Sequence, residues 1–526
     1  MRASALPGAR TITDALDAAV AADESRMFIE CDGDAFSYGD ILRRSVAFAA
    51  GLEQIGATPG GRVATLLECR SEAVVAWMAT SRLGGVFVPL NPSLDVDAIL
   101  HQLRDSGARV LVTPGSLGIR LAEREPDVLS LPTFVTLDET AGTWPAGAVH
   151  VPFGALCTSA RPKCVPAPAP GQLAALLYTS GTTGTSKSCM ISHNYLCLAG
   201  HQVAEDSGQG PDDTVYLPLP FFHINVLTTI VGTMLAKGRV ALAPRFEADR
   251  FWPEIRRTGA TITALLGSMV QAATSAADHV DPSAEPGRLR VVRGGPFSAE
   301  ETRVWRDRLG VSRVGSQAYG STEVARMTNL GPTDEIRTGS LGRRNQYYDV
   351  RVVDDQDEEC APGEVGEIVC RPLRSHIMFD GYWNRPDETI RAFRNLWFHT
   401  GDLGRFDDDG YLYFVDRRKH HLAGAGGLSS SEVEAIVLQH PVIREVAAYE
   451  VRANEAADPA VALAVVVNGR LDPDTLWSWL RARLPGAAQP RFVRLVGELP
   501  RNQVGRVQKY RLSEEAIPPG TWERPV

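Results

Sequence analysis

The sequence predicts an α/β protein: two α/β lobes, a small β unit, and an α+β segment at the C-terminal end. Three observations predict it. Short β-rich runs alternate with Ala/Leu/Arg-rich stretches through the first two thirds. That is the pattern of βαβ units, largely parallel sheets covered by helices. After about Asn345, strands follow one another across Gly, Pro and Asp turns with little helix between them, as in antiparallel sheet. Beyond Asp416 a charged, Gly-rich stretch (DRRKHHLAGAGG) precedes a last segment of about 100 residues, the size of a small domain.

The expected lobe strands are Arg62–Glu68 (RVATLLE), Arg109–Thr113 (RVLVT), Arg239–Pro244 (RVALAP) and Leu289–Arg293 (LRVVR). Val149–Gly171 is rich in Pro and Ala and reads as an extended connector between lobes. The lobes would then span about 1–170 and 171–344. Strands Asp349–Val353, Glu367–Arg371 and Tyr411–Val415 would build a β unit over about 345–418. Residues 1–418 thus form the expected N-terminal domain and 419–526 the C-terminal one, with the basic junction as a hinge.

Composition excludes several classes. Hydrophobic residues make up 44% and charged residues 22%, which fits neither disorder, collagen nor a polytopic membrane protein. A chain of 526 residues buries enough core to need no disulfide or metal staple. Fifty-four Lys and Arg against 63 Asp and Glu leave a charge of −9, with no long basic run, so nucleic acid is not an expected partner. The eight cysteines form no C-x-x-C pair and read as thiols of a reducing compartment. The N-terminus lacks the apolar core of a signal peptide. No apolar run approaches the ~18 residues of a membrane span. The expectation is a soluble cytoplasmic protein.

The sharpest local feature is Tyr178–His193, YTSGTTGTSKSCMISH, a loop that follows the apolar run AALLY. Gly181 and Gly184 let backbone approach a ligand, Thr179, Ser180, Thr182 and Thr183 supply donors, and Lys187 adds positive charge. These are the ingredients of a phosphate cradle. A Walker loop requires Gly before the Lys, and here that residue is Ser186. In isolation, such a stretch is more often a plain surface loop.

This stretch resembles the signature loop of the adenylate-forming superfamily: acyl-CoA synthetases, peptide-synthetase adenylation domains and luciferases. Further matches follow in that family's order: LGGVFVP at Leu83–Pro89, PFFH at Pro220–His223, AYGSTE at Ala318–Glu323, HTGD at His399–Asp402, and Asp416-Arg417. The resemblance covers about residues 30–515. It implies that Tyr319 and Gly320 flank adenine, Thr322 contacts phosphate and Glu323 helps hold magnesium. It likewise implies that Asp402 grips the ribose hydroxyls, Arg417 contacts the nucleotide and Lys419 is the pivot of a mobile C-terminal domain. His223 would line the acyl pocket or act in catalysis, and Thr263–Val270 with Gly294 and Gly295 would form pocket and adenine-side walls. The implied ligands are ATP, AMP or acyl-AMP, magnesium and coenzyme A.

The chemistry makes sense of these residue types. Activating a carboxylate by attack on an α-phosphate brings two anions together, so the site needs cations and directed donors.

Three departures stand out. Ser186 and Ser188 replace the usual Pro and Gly around Lys187. The glycine loop Leu422–Ser431, with Gly424, Gly426 and Gly427 as implied CoA contacts, is one residue short and lacks its charged members. In LPRNQVGRVQK, Leu499–Lys509, the family lysine that follows Gly505 is Arg506. A forked planar guanidinium is not equivalent to a compact ammonium at a crowded site. The plainer alternative is that Arg506 still neutralises the developing charge. Lys509, three residues further on, does not simply take the lysine's place.

The expectation is therefore an acyl-CoA ligase-type enzyme acting on a small-molecule carboxylic acid or its acyl-adenylate, with adenylation weak or lost and thioester formation retained. Activated acid would then come from a separate adenylating ligase. Two alternatives stay open: a complete ATP-dependent acid–CoA ligase, and an adenylating enzyme loading a carrier protein on another chain. Retention of Lys187, Glu323 and Asp402 argues against a non-catalytic binder.

Overall fold

The structure, a computed structural model, describes residues 10–125, 132–138, 142–157, 167–179, 186–277, 289–295, 297–315, 318–330, 334–337, 339–418, 422, 428–451, 459–501, 507–515 and 517–525. Two units are distinguished. Met1–Thr179, Ser186–Asp349 and Pro372–Arg391 belong to the first, Val350–Arg371 and Ala392–Val526 to the second.

Two sheets organise the first unit. In one, the order is His150–Pro152, Thr133–Thr136, Val110–Thr113, Arg62–Thr65, Val86–Pro89, Leu173–Thr179, Lys187–Ser192. In the other it is Arg313–Val314, Val291–Gly295, Ile262–Leu266, Thr214–Leu217, Arg239–Leu242, Met27–Cys31, Asp34–Ser37. Each sheet is parallel throughout except for its last strand, which returns antiparallel as a hairpin. The strands are short and almost wholly buried, as sheets covered on both faces require.

The expected lobe boundary near residue 171 is corrected. The N-terminal hairpin Met27–Ser37 closes the second sheet, and Leu173–Ser192 closes the first. A hairpin can complete the edge of any sheet it reaches, so strand order does not follow chain order. The expected connector is corrected too. Its start forms strand His150–Pro152, paired with Thr133–Thr136, and the short helix Phe153–Leu156.

Helices His193–Asp206 and Ile224–Ala236 meet at two glycines. A Cβ on Gly232 would lie 2.5 Å from the Gly200 carbonyl oxygen, and one on Gly200 would lie 2.8 Å from the Gly232 nitrogen. Only glycine lets the two backbones approach this closely.

The second unit holds antiparallel strands Gly366–Pro372, Phe398–Phe406 and Tyr411–Arg417. Farther along, Ile443–Val451 pairs antiparallel with Ala460–Val467, and Phe492–Leu495 lies parallel to the latter. Helices Ser430–Val437 and Pro473–Arg481 cover one face through Val433, Val437, Leu476, Trp477 and Leu480, all nearly inaccessible. Burying each such large side chain contributes about 1.5–3 kcal/mol.

The expected division at 418/419 differs from this grouping, because the β strands from 350 onward go with the C-terminal segment. One reason is local. Asp416, ending the Tyr411–Arg417 strand, accepts the Ser430 N–H at 2.7 Å and so ties that strand to the next helix.

Among the described residues no helix is long and apolar enough to cross a membrane. Seven of the eight cysteines are described, and each is a free thiol.

Candidate active site

Two paired strands flank the phosphate-loop motif. Leu173–Thr179 and Lys187–Ser192 pair antiparallel, with Thr179 opposite Lys187. The Thr179 hydroxyl donates to the Lys187 carbonyl at 3.3 Å, and the Ser186 hydroxyl donates to the Thr179 carbonyl at 3.0 Å. Lys187 therefore opens a strand, a correction to its expected place in the loop. The K-S-C-M-I-S run pairs along its whole length with the apolar strand before the loop and is buried at Ser188, Cys189, Ile191 and Ser192. Ser186, where the family has Pro, closes the loop base with a side-chain hydrogen bond instead of a rigid ring. Ser188 is 1% exposed, and its hydroxyl has no partner among the described residues. Ser180, Gly181, Thr182, Thr183 and Gly184 lie outside the described residues.

The second strand of this hairpin carries a neighbour that sequence reading missed. The segment Asp380–Trp383 bonds along it: Asp380 N–H to Met190 O, Met190 N–H to Gly381 O and Trp383 N–H to Ser188 O. This sets Tyr382 beside Lys187, with the ammonium 5.2 Å from the ring centroid. The Tyr382 hydroxyl donates to Glu323 Oε1 at 2.9 Å. Lys187 itself is ion-paired with Glu388. Burial, reinforced by Glu323, pushes the Tyr382 hydroxyl far above the usual tyrosine range, so it stays a donor. Cys189 is likewise pushed well up by burial and by Glu323, which makes it no nucleophile. The available signals were a Gly-Tyr pair and a Pro-Asp-x-x-started helix, too common to single out alone.

Glu323 sits in a tight turn. Its N–H donates to Ser321 Oγ at 3.2 Å and its carbonyl accepts the Phe379 N–H at 2.8 Å. Gly320 is obligatory here, since a Cβ would fall 1.5 Å from the Ala325 carbonyl oxygen. Tyr319 is anchored through its N–H to Thr328 Oγ1, and the Thr322 carbonyl accepts from the Tyr195 hydroxyl. Magnesium is commonly held by one or two carboxylates plus substrate phosphates. A single carboxylate, oriented by the Tyr382 hydroxyl, fits that donor set.

Gly294 and Gly295 end strand Val291–Gly295, opposite Leu265 and Leu266. His223 caps helix Ile224–Ala236, with Nδ1 accepting the Asn225 N–H at 3.2 Å. In the neutral ring the proton is then on Nε2.

In the second unit Asp402 is 7% exposed and ion-paired with Arg417 Nε at 3.1 Å. The irregular stretch of strand preceding it, where the register shifts, is held by Glu367. The Gly401 N–H donates to Glu367 Oε1 at 3.0 Å, His399 Nδ1 lies 3.0 Å from Oε2, and Arg418 donates to Oε2 at 2.7 Å. Burial alone would raise the Glu367 carboxyl, but His399 and these donors hold it below the ordinary range. A charged residue inside an otherwise apolar strand was the overlooked signal. Lys419, Gly424, Gly426, Gly427 and Arg506 lie outside the described residues. Lys509 is described: its ammonium contacts Glu434 Oε1 and Ser430 Oγ, each at 2.6 Å.

Comparison with known proteins places the family. Residues 16–383 match the AMP-binding enzyme family, and 432–506 match the AMP-binding enzyme C-terminal domain. A feruloyl-CoA synthase of Amycolatopsis sp. is 31% identical over 91% of this chain and 93% of its own length. A crotonobetaine/carnitine–CoA ligase of Salmonella paratyphi B is 28% identical over 94% and 97%. Among solved structures, ATP-bound MatB from Rhodopseudomonas palustris superposes with a TM-score of 0.82 at 26% identity, covering 96% of this chain and 99% of that one. The chain belongs to the AMP-binding enzyme family, in the acyl-CoA synthetase branch of the adenylate-forming superfamily.

Proposed function

We propose that this protein makes an acyl-CoA thioester from an acyl-adenylate, with its own adenylation step weak or lost. In the first half-reaction a carboxylate oxygen attacks the α-phosphorus of ATP and pyrophosphate leaves. In the second, the CoA thiol loses its proton and attacks the acyl carbonyl, and AMP leaves. Thr179, Lys187 and Thr322 are assigned to phosphate, Tyr319 with Gly294 and Gly295 to the adenine side, and Asp402 with Arg417 to ribose. Glu323 would hold magnesium, which when bound neutralises phosphate charge. Residues 419–526 are proposed to pivot at Lys419 between the two steps, a hinge-type switch.

One observation carries the proposal. The position of the family's adenylating lysine is Arg506, and the nearby Lys509 is engaged by Glu434 and Ser430. Lys509 thus has partners of its own, whereas Lys187, although paired with Glu388, opens the strand that directly follows the phosphate-loop motif. The acyl-adenylate would then be supplied by a separate ligase, and free thiols fit a cytoplasmic setting. The names of the feruloyl-CoA and carnitine–CoA relatives favour a second reading, a complete acid–CoA ligase in which Arg506 serves as the cation.

Two parallel assays separate the readings: acid-dependent ATP–pyrophosphate exchange, and CoA thioester formation from a synthetic acyl-adenylate. Thioester without exchange is the expected result. Brisk exchange with any acid would establish the complete ligase, and transfer only to a carrier protein would replace CoA as acceptor.

A further inference from the structure

Among the described residues, no carboxylate forms an ion pair with the buried Arg293. It is 3% exposed, and among the described residues it is the only arginine so fully enclosed. One hydrogen bond is found for it, from Nη2 to Thr229 Oγ1 at 3.2 Å, and its buried Nε has no partner among the described residues. The carboxylate that acts on it from nearby, Asp206, is already taken by Arg313 and Arg326, each at 2.9 Å. Burial, with Arg326 adding to it, pushes the guanidinium down to about 9, which still leaves it protonated at neutral pH. An enclosed charge is normally paired, because leaving it alone is costly.

Its surroundings say what it faces. Strand residues alternate sides, and Val292 packs into the aromatic cluster of Phe251 and Trp305. Arg293 is therefore on the opposite side, against helix Ile224–Ala236, whose N-cap is His223. Its cross-strand neighbour is Ala264, and the residues that follow it are Gly294 and Gly295. Arg293 thus lies on the strand that runs into Gly294 and Gly295, in register with Ala264, and reaches the helix capped by His223 at Thr229.

We infer that Arg293 is a specificity residue, held beside the acyl pocket to receive a second carboxylate, so that the acid handled is dicarboxylic. The inference rests on the acyl-adenylate reading above. A carboxylate there would accept from the unsatisfied guanidinium edge and supply the missing counter-charge, whereas a neutral acyl group would leave the charge stranded.

The test uses the whole protein and non-hydrolysable N-acylsulfamoyl adenosines in matched pairs: succinyl against succinamoyl, and 4-carboxybenzoyl against 4-carbamoylbenzoyl. Calorimetry should show the carboxylate member of at least one pair binding about tenfold tighter or more. Arg293→Met should erase that ratio, and Arg293→Lys should keep part of it. If Arg293→Met does not fold, Arg293→Gln takes its place. Equal binding within both pairs, or a ratio that survives loss of the guanidinium, overturns the inference. AMP is titrated alongside. Failure of the native protein to bind AMP would defeat the acyl-adenylate reading itself, whereas intact AMP binding with no carboxylate preference defeats only the role of Arg293.

Discussion

The Lys509 ammonium lies 2.6 Å from Glu434 Oε1, and the same carboxylate oxygen accepts the Ala448 N–H at 2.8 Å. Burial pushes the Glu434 carboxyl up while Lys509 and Ala448 pull it down. Ser430 extends the network, since its hydroxyl accepts from Lys509 and its N–H reaches Asp416. The last helix, Lys509–Glu514, the helix Ser430–Val437 and the strand ending at Arg417 are thereby fastened together within one unit. Lys509 has a structural place of its own.

Lys509→Met should therefore lower stability more than it changes chemistry. Removing one partner of a mostly buried pair costs about 3 kcal/mol, and Glu434→Gln should cost a similar amount. Because the two changes break the same contact, the double variant should lose less than their sum. Additive losses in denaturant unfolding would show that the pair is not coupled. Arg506→Lys, by contrast, should raise pyrophosphate exchange with stability unchanged.

Asp402→Ala should weaken AMP binding. A buried acceptor removed from its ligand donors costs roughly 1–3 kcal/mol, which is about one to two decades in affinity. Calorimetry giving the native affinity would remove Asp402 from the ribose site.

Much of the architecture was legible because strands written as VLVT or VALA and helices opened by Ser192 or Asp472 obey local rules. The motif residues were legible through resemblance; Thr179 and Gly294 fall near strand ends, and Asp402 lies within a strand at a bulge. What was not legible is tertiary. Nothing local says that Met27–Ser37 completes a sheet whose next strand is Arg239–Leu242. Nor does spacing reveal that Tyr382 bridges Lys187 and Glu323 from 195 and 59 residues away (382 − 187 and 382 − 323). A hydroxyl that orients a carboxylate has no sequence period. It becomes visible only when the chain segment carrying it is seen bonded to the hairpin.

That bridge yields a graded prediction. Tyr382→Phe removes the donor to Glu323 but keeps the ring beside Lys187, and should cost about 2 kcal/mol, the usual worth of a hydrogen bond to a charged group. Tyr382→Leu should lose about a further 0.5–1 kcal/mol with the cation–π contact. Both should weaken ATP binding more than AMP binding, because Glu323 and Lys187 serve the phosphate side. An equal loss for the two nucleotides would assign Tyr382 a purely structural role.

His193 gives the acid limb of stability. The ring is fully buried, its Nδ1 accepts the Ile12 N–H at 3.4 Å, and burial pushes its pKa from 6.5 down to about 4. The unfolded chain takes up a proton on this ring near 6.5, while the folded protein resists until about 4. Between those values the unfolded state holds more protons, so stability is complete above the window and falls as the pH drops through it. The shift is worth at most about 3 kcal/mol. His193→Gln has nothing to titrate there. Its unfolding free energy, plotted against pH, should run flatter than the native curve between 6.5 and 4 and converge with it in shape above that range. Parallel curves across the window would mean that His193 already carries its proton in the folded protein, and that its burial does not set the acid limb.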